Sequence, residues 1–192
     1  NVLYILGVPL LKSEDGGASW KDINGNNQHG DHHVLHIHPR NSKLLYNGND
    51  GGVNISYDGG ISWVKCSMPA VGQFYAVQTD DEDPYNVYGG LQDNGVWVGS
   101  STYKYSTSWQ STGSYPYKSL LGGDGMQVQV DTRDNQTIYT GYQFGNYFRI
   151  DKKTGDRKYI TPRHELGERP YRWNWQAPIL ISRHQPDIIY FG

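Results

Sequence analysis

Three aspartates stand where their type and setting could do chemistry: Asn49-Asp50-Gly51-Gly52, Gln92-Asp93-Asn94-Gly95 and Gly123-Asp124-Gly125. Inverting cleavage of a glycosidic bond needs two carboxyl groups about 6.5–9.5 Å apart, one ionised as base and one held protonated as acid. Asp50, Asp93 and Asp124 are therefore the candidate catalytic residues. An Asp beside Gly or Asn has an equally concrete structural use, because its carboxylate caps its own turn. Both readings stand for each of the three. Around them lie other polar side chains suited to holding a ligand, namely Asp31, His32, His33, Gln92 and Asn94. Imidazole and carboxylate also ligate metals. However, the run His29-Gly30-Asp31-His32-His33 has no helical ligand spacing, and adjacent His32 and His33 fall on opposite sides of a strand. No metal and no cofactor is expected. Trp173 and Trp175, in a stretch rich in Arg and Pro, offer flat apolar faces either for stacking on sugar rings or for filling space between repeats.

The elements that must position these residues are short strands. Apolar-Tyr followed by Gly recurs at Tyr4, Tyr46, Tyr88, Tyr139 and Tyr190, with spacings of 42, 42, 51 and 51 residues. Before four of these stand alternating runs such as Leu35-His36-Ile37-His38-Pro39 and Tyr75-Ala76-Val77-Gln78-Thr79. Period-two alternation bounded by Asp, Asn, Pro and Gly reads as strand, turn, strand. Each repeat has room for about four short strands, one propeller blade. The approximate repeats are 1–32, 33–72, 73–125, 126–176 and an incomplete 177–192. The expected fold is all-β: about four blades' worth of four-stranded antiparallel sheets in one partial β-propeller domain.

Composition agrees and removes other classes. Among 192 residues there are 24 Gly, 26 aromatic rings and 15 Asp against 4 Glu, a turn-rich balance that excludes a helical bundle. No apolar run approaches the roughly 18 residues of a membrane span, and the mean hydropathy is −0.71. A formal charge of −2 lacks the basic field of a nucleic-acid binder. Cys66 is the single cysteine, so no intrachain disulfide forms.

A sharper motif occurs twice, 43 residues apart: Ser13-Glu14-Asp15-Gly16-Gly17-Ala18-Ser19-Trp20 and Ser56-Tyr57-Asp58-Gly59-Gly60-Ile61-Ser62-Trp63. Its physics is a closed hairpin. The Asp accepts hydrogen bonds from its own turn, the Gly pair supplies positive φ, and the Trp leaves as a wedge. Ser13, Asp15, Gly17, Trp20, Ser56, Asp58, Gly60 and Trp63 are accordingly structural. The motif resembles the Asp-box repeat, Ser-x-Asp-x-Gly-x-x-Trp, of sialidases, sortilin-type receptors and xyloglucan-cleaving glycoside hydrolases. Asp151-Lys152-Lys153-Thr154-Gly155-Asp156 stands in the same place in the fourth repeat, while the third has lost the box.

Asp50, four residues after Tyr46, is similar to the catalytic-base segment of xyloglucanases, with a loop one residue shorter; in those enzymes the partner acid comes from a second propeller. The resemblance implies a piece of a larger, seven-bladed ring, whose remaining blades are partners, in a secreted protein of the extracellular space or periplasm. It implies one of two functions: a glycan-binding or glycan-cleaving propeller with Asp50 as base, or a sortilin-like platform for a peptide. With strands lettered A to D from the centre outward, the B–C and D–A loops share one end of every blade, and all the candidate ligand-binding residues fall in or beside them.

Overall fold

The computed structural model describes residues 1–66, 72–108, 111 and 116–192. Its elements are antiparallel strands arranged as consecutive up-and-down sheets. Strands β1 (Leu3–Leu6), β2 (Leu10–Ser13) and β3 (Lys21–Asp22) form a three-stranded sheet. Three four-stranded sheets have matching connectivity. The first is β4 (His32–Ile37), β5 (Leu45–Asn49), β6 (Gly52–Ser56) and β7 (Val64–Cys66). The second is β8 (Phe74–Thr79), β9 (Asn86–Leu91), β10 (Gly95–Ser100) and β11 (Tyr117–Leu121). The third is β12 (Val128–Val130), β13 (Thr137–Tyr142), β14 (Asn146–Asp151) and β15 (Arg157–Tyr159). Strands β16 (Ile179–Ile181) and β17 (Ile189–Phe191) make a final pair. This is the all-β organisation of a partial propeller, one meander per repeat. No helix among the described residues is long and apolar enough to cross a membrane.

Two compact units divide the chain, Asn1–Val71 and Gly72–Gly192. In the first, Leu10, Ile23, Leu45 and Trp63 pack between the two sheets. Trp63 is 6% exposed, and its indole N–H donates to the Ile23 carbonyl at 2.8 Å. The wedge expected from the repeated motif is thus seated on the preceding sheet, whereas Trp20 stays 39% exposed.

Both copies of the motif close as their residue types require. Asp58 Oδ1 accepts the Ser56 hydroxyl at 2.8 Å and the Ser62 N–H at 2.9 Å, and Ser56 Oγ accepts the Gly60 N–H at 2.8 Å. Asp15 repeats this with Ser13, Ser19 and Gly17. The second glycines, Gly17 and Gly60, sit at φ of 100° and 94°, a region costly for any side chain. Hydrogen bonds from the serine that follows, Ser19 or Ser62, hold each Asp carboxyl well below the usual range. Asp151 closes the corresponding turn of the third four-stranded sheet, accepting the N–H groups of Lys153 and Thr154 at 2.8 Å each.

In the second unit, Tyr88, Val96, Val98, Leu120 and Leu121 of one sheet meet Val128, Val130, Ile138 and Ile150 of the next. A buried polar tie accompanies that core. The Asp80 carboxylate, whose side chain has no solvent exposure, accepts the Asn86 N–H at 2.7 Å and the Tyr88 hydroxyl at 2.7 Å. Lys152, from the β14–β15 turn of the adjacent sheet, reaches Asp80 at 3.2 Å, Glu82 at 2.9 Å and the Tyr88 oxygen at 3.2 Å. Burial alone works to raise the Asp80 pKa, but the hydrogen bonds from Asn86, Tyr88 and Lys152 outweigh it and bring it down to about 2. Burial, with the Asp80 hydrogen bond, pushes the Tyr88 phenol up.

Candidate functional site

Strand order puts the β3–β4, β5–β6, β9–β10, β11–β12, β13–β14 and β15–β16 connections at the B–C and D–A ends of their own sheets. Asp50 lies just before β6 and Asp58 just after it, so the two occupy opposite ends of one strand. The other candidate residues fall in two groups, one in each unit.

In the first unit the Asp50 hairpin is held from beneath by buried amides. On β5 the alternation that buries Leu45 also buries Asn47 and Asn49. Asn47 Oδ1 receives Gln28 Nε2 at 2.8 Å and Asn49 Nδ2 at 2.9 Å, while Asn47 Nδ2 donates to the Val34 carbonyl at 3.0 Å. Asn49 Oδ1 accepts the Gly51 N–H at 3.0 Å, which ties the network to the turn itself. His32 is 5% exposed, its ring nitrogens facing Asn47 Oδ1 at 2.9 Å and Asn24 Oδ1 at 3.0 Å. It is therefore a bonded part of the interior and does not line a surface. His33, next in the strand and on the other side, is exposed and meets Asp50 Oδ1 through Nε2 at 2.7 Å. Asp31 is exposed with φ of 55°, immediately before β4. Among the described residues no group of three or more His, Cys, Asp or Glu side chains is placed to hold a metal.

In the second unit two successive B–C hairpins are bridged by Asp124. It is 6% exposed, its Oδ1 accepts the Asp93 N–H at 3.0 Å, and its own N–H donates to Gln143 Oε1 at 3.0 Å. The Asp93 and Phe144 hairpin tips both adopt positive φ, 62° in each. Asn94 Nδ2 donates to the Gln92 carbonyl at 3.0 Å, and Asn146 Nδ2 does the same to Gln143 at 2.8 Å.

The long β15–β16 connection returns across the second hairpin. Trp173 is half-buried, lying over Gly145 where a Cβ would collide with the indole. Its ring meets those of Tyr147 at 6.2 Å and Tyr171 at 6.2 Å, both edge-on. Beneath it the Tyr147 hydroxyl donates to the Ala177 carbonyl, and burial pushes its pKa up to about 12.

Trp175 is 44% exposed. Its carbonyl accepts the Phe144 N–H at 3.2 Å, and its ring stands edge-on to Phe144 at 5.2 Å. Its indole N–H donates to Tyr75 Oη at 3.0 Å, and that hydroxyl donates to Gln92 Oε1 at 3.1 Å. Trp175 and Phe144 (54% exposed) thus form an exposed aromatic pair held in place through backbone and polar atoms and linked through Tyr75 to Gln92, while Tyr171 (52% exposed) stands edge-on to Trp173 in the same loop. Tyr75, Gln143, Phe144 and Tyr171 are site residues beyond those the sequence singled out. Tyr75 belongs to a regular alternating strand, so nothing in its spacing marks it. Gln143 and Phe144 do stand in a B–C loop, and only that position hinted at them.

No protein-family model matches the chain, and no curated protein matches it. Solved structures to which it is similar include an ancestral GH74 enzyme, at 16% identity and TM-score 0.33, covering 85% of this chain and 22% of that one. An auxiliary nutrient binding protein from Bacteroides thetaiotaomicron is 14% identical with TM-score 0.43, over 100% of this chain and 42% of that one. A YCF48 protein bound to D1 peptide is 13% identical with TM-score 0.40, over 100% and 57%. The chain thus spans less than two thirds of each of these structures, and at such values the likenesses assign no activity.

Proposed function

We propose that this chain is a glycan-binding, Asp-box-type propeller segment of an extracellular or periplasmic protein, and that it takes its ligand on the loop end of the second unit. One observation carries the reading: Trp175 presents an exposed ring fixed by its N–H bond to Tyr75, itself bonded to Gln92, and Phe144 stands edge-on beside it with its N–H on the Trp175 carbonyl. Flat apolar rings pack against the C–H faces of pyranoses, and neighbouring carboxamides pair with hydroxyls. A site fixed before the ligand arrives loses less entropy on binding. Trp175, Gln92 and Asn94 act as ligand contacts, and Trp173 supports the platform by packing on Gly145.

Binding is favoured over cleavage by the condition of the carboxylates. Asp124 is buried and already accepts the Asp93 N–H, which suits a tie between hairpins better than a proton donor to substrate. Asp50 remains the candidate base, with His33 as its hydrogen-bonded neighbour.

The test is calorimetric titration with a panel of plant and bacterial oligosaccharides, alongside a reducing-end assay for hydrolysis. Trp175→Ala is expected to weaken binding about tenfold or more while the fold persists, since the ring is exposed. Asp50→Asn is expected to leave binding unchanged. Binding that is indifferent to Trp175→Ala refutes the site, and turnover abolished by Asp50→Asn replaces binding with catalysis as the function.

A further inference from the structure

The aromatic platform is continuous in sequence with cations that the protein does not use. The β15–β16 connection, residues 160–178, carries Arg163, Arg169 and Arg172, all exposed. Among the described residues none of these guanidinium groups has an ion pair or hydrogen bond. Arg133 and Lys152 of the same unit, by contrast, are engaged: Arg133 pairs with Asp131 at 2.6 Å and with Asp187 at 2.8 Å, and Lys152 with Asp80 and Glu82. Two of the acids at this end have internal roles. Glu168 Oε2 turns back to the Glu165 N–H at 3.4 Å, closing the loop's own turn, and Asp124 bridges the hairpins. From Arg169 to Gln176 the loop contains two arginines, three aromatic rings and no carboxylate. Arg172 lies between Tyr171 and Trp173 in sequence; Trp173 packs on the Gly145 hairpin and Tyr171 stands edge-on to it.

From this juxtaposition we infer that the ligand of the platform is an acidic polysaccharide, with uronate carboxylates paired to Arg169 and Arg172 and pyranose faces stacked on Trp175 and Tyr171. The inference rests on the glycan reading above and specifies its ligand class. Guanidinium matches a carboxylate in a planar two-point contact, and Arg can stack on rings as well, so an Arg–aromatic alternation reads charge and ring together. A neutral glycan has no use for the unpaired cations that alternate with the rings along this loop.

The experiment is isothermal titration of the whole chain with hexagalacturonate, its neutral methyl ester, cellohexaose and a hexaglutamate peptide. It is run on the parent, on Arg169→Gln/Arg172→Gln and on Trp175→Ala, with thermal midpoints confirming that the variants fold. Hexagalacturonate is expected to bind at least about tenfold more tightly than its ester, the least that one charge-assisted hydrogen bond contributes. That preference is expected to vanish in the double arginine variant and to shrink as salt shortens the Debye length. Trp175→Ala is expected to weaken the acid and the ester alike. Equal binding of all three saccharides, unaffected by the arginine variant, overturns the acidic-ligand inference and leaves glycan binding standing. Tight binding of hexaglutamate with indifference to Trp175→Ala, or binding of no saccharide, overturns both.

Discussion

Removing the Tyr88 hydroxyl tests the buried tie in the second unit most directly. Tyr88→Phe keeps the ring in its core cluster and deletes the O–H that donates to Asp80 at 2.7 Å and receives Lys152 at 3.2 Å. A hydrogen bond to a charged group contributes about 1.5–3 kcal/mol, and the lower end applies because Asp80 Oδ2 keeps Asn86 Nδ2 and Lys152 Nζ as donors. The acid side gives a second measure. A carboxyl lowered from 3.8 to about 2 corresponds to about 2 kcal/mol of native-state preference for its charged form. Because the folded value lies below the unfolded one, that contribution is complete above about pH 4 and is lost as pH falls through about 2. Urea unfolding at neutral pH should therefore show Tyr88→Phe less stable by about 1.5 kcal/mol. Asp80→Asn should flatten the acid limb between those two pH values. The double variant should show a coupling of about 1 kcal/mol, as expected for neighbours sharing one network. Coupling below about 0.3 kcal/mol, or an acid limb unchanged in Asp80→Asn, refutes the tie as a source of stability.

Trp63→Ala should destabilise the first unit by about 3–5 kcal/mol, through the cavity left beside Leu10 and Leu45 and the lost bond to Ile23; thermal or urea unfolding measures it. Gly90→Ala should cost about 1–3 kcal/mol or prevent folding, because the new Cβ would meet the Gly125 and Met126 carbonyls, and the N–H groups of those two residues are bonded to Leu91 and Gly141; expression yield and the unfolding midpoint measure it. Asp58→Ala should lower the unfolding midpoint and leave saccharide affinity untouched, since its partners all lie within its own turn; a stable variant with impaired binding would contradict that assignment.

The Tyr-Gly spacing and the doubled Ser-x-Asp-x-Gly motif were enough to read the sheets, their strand order and the turns at Asp15 and Asp58 from the sequence. The reason is range. Those turns are closed by partners two to four residues away, and alternating strands pair with neighbours next in the chain, so local residue types carry the information. The sequence also placed Asp50, Asp93 and Asp124 in loops at one end of their sheets, but could not decide between catalyst and cap for any of them. For Asp124 the fold adds what the sequence lacked, its burial and its bonds to Asp93 and Gln143, which join hairpins 31 and 19 residues away. His32 and His33, adjacent and alike in sequence, part for the same reason: one faces Asn24 and Asn47 in the interior, the other faces solvent beside Asp50. Trp175 meets Tyr75 across 100 residues, a contact created by sheets packing side by side and by no local preference.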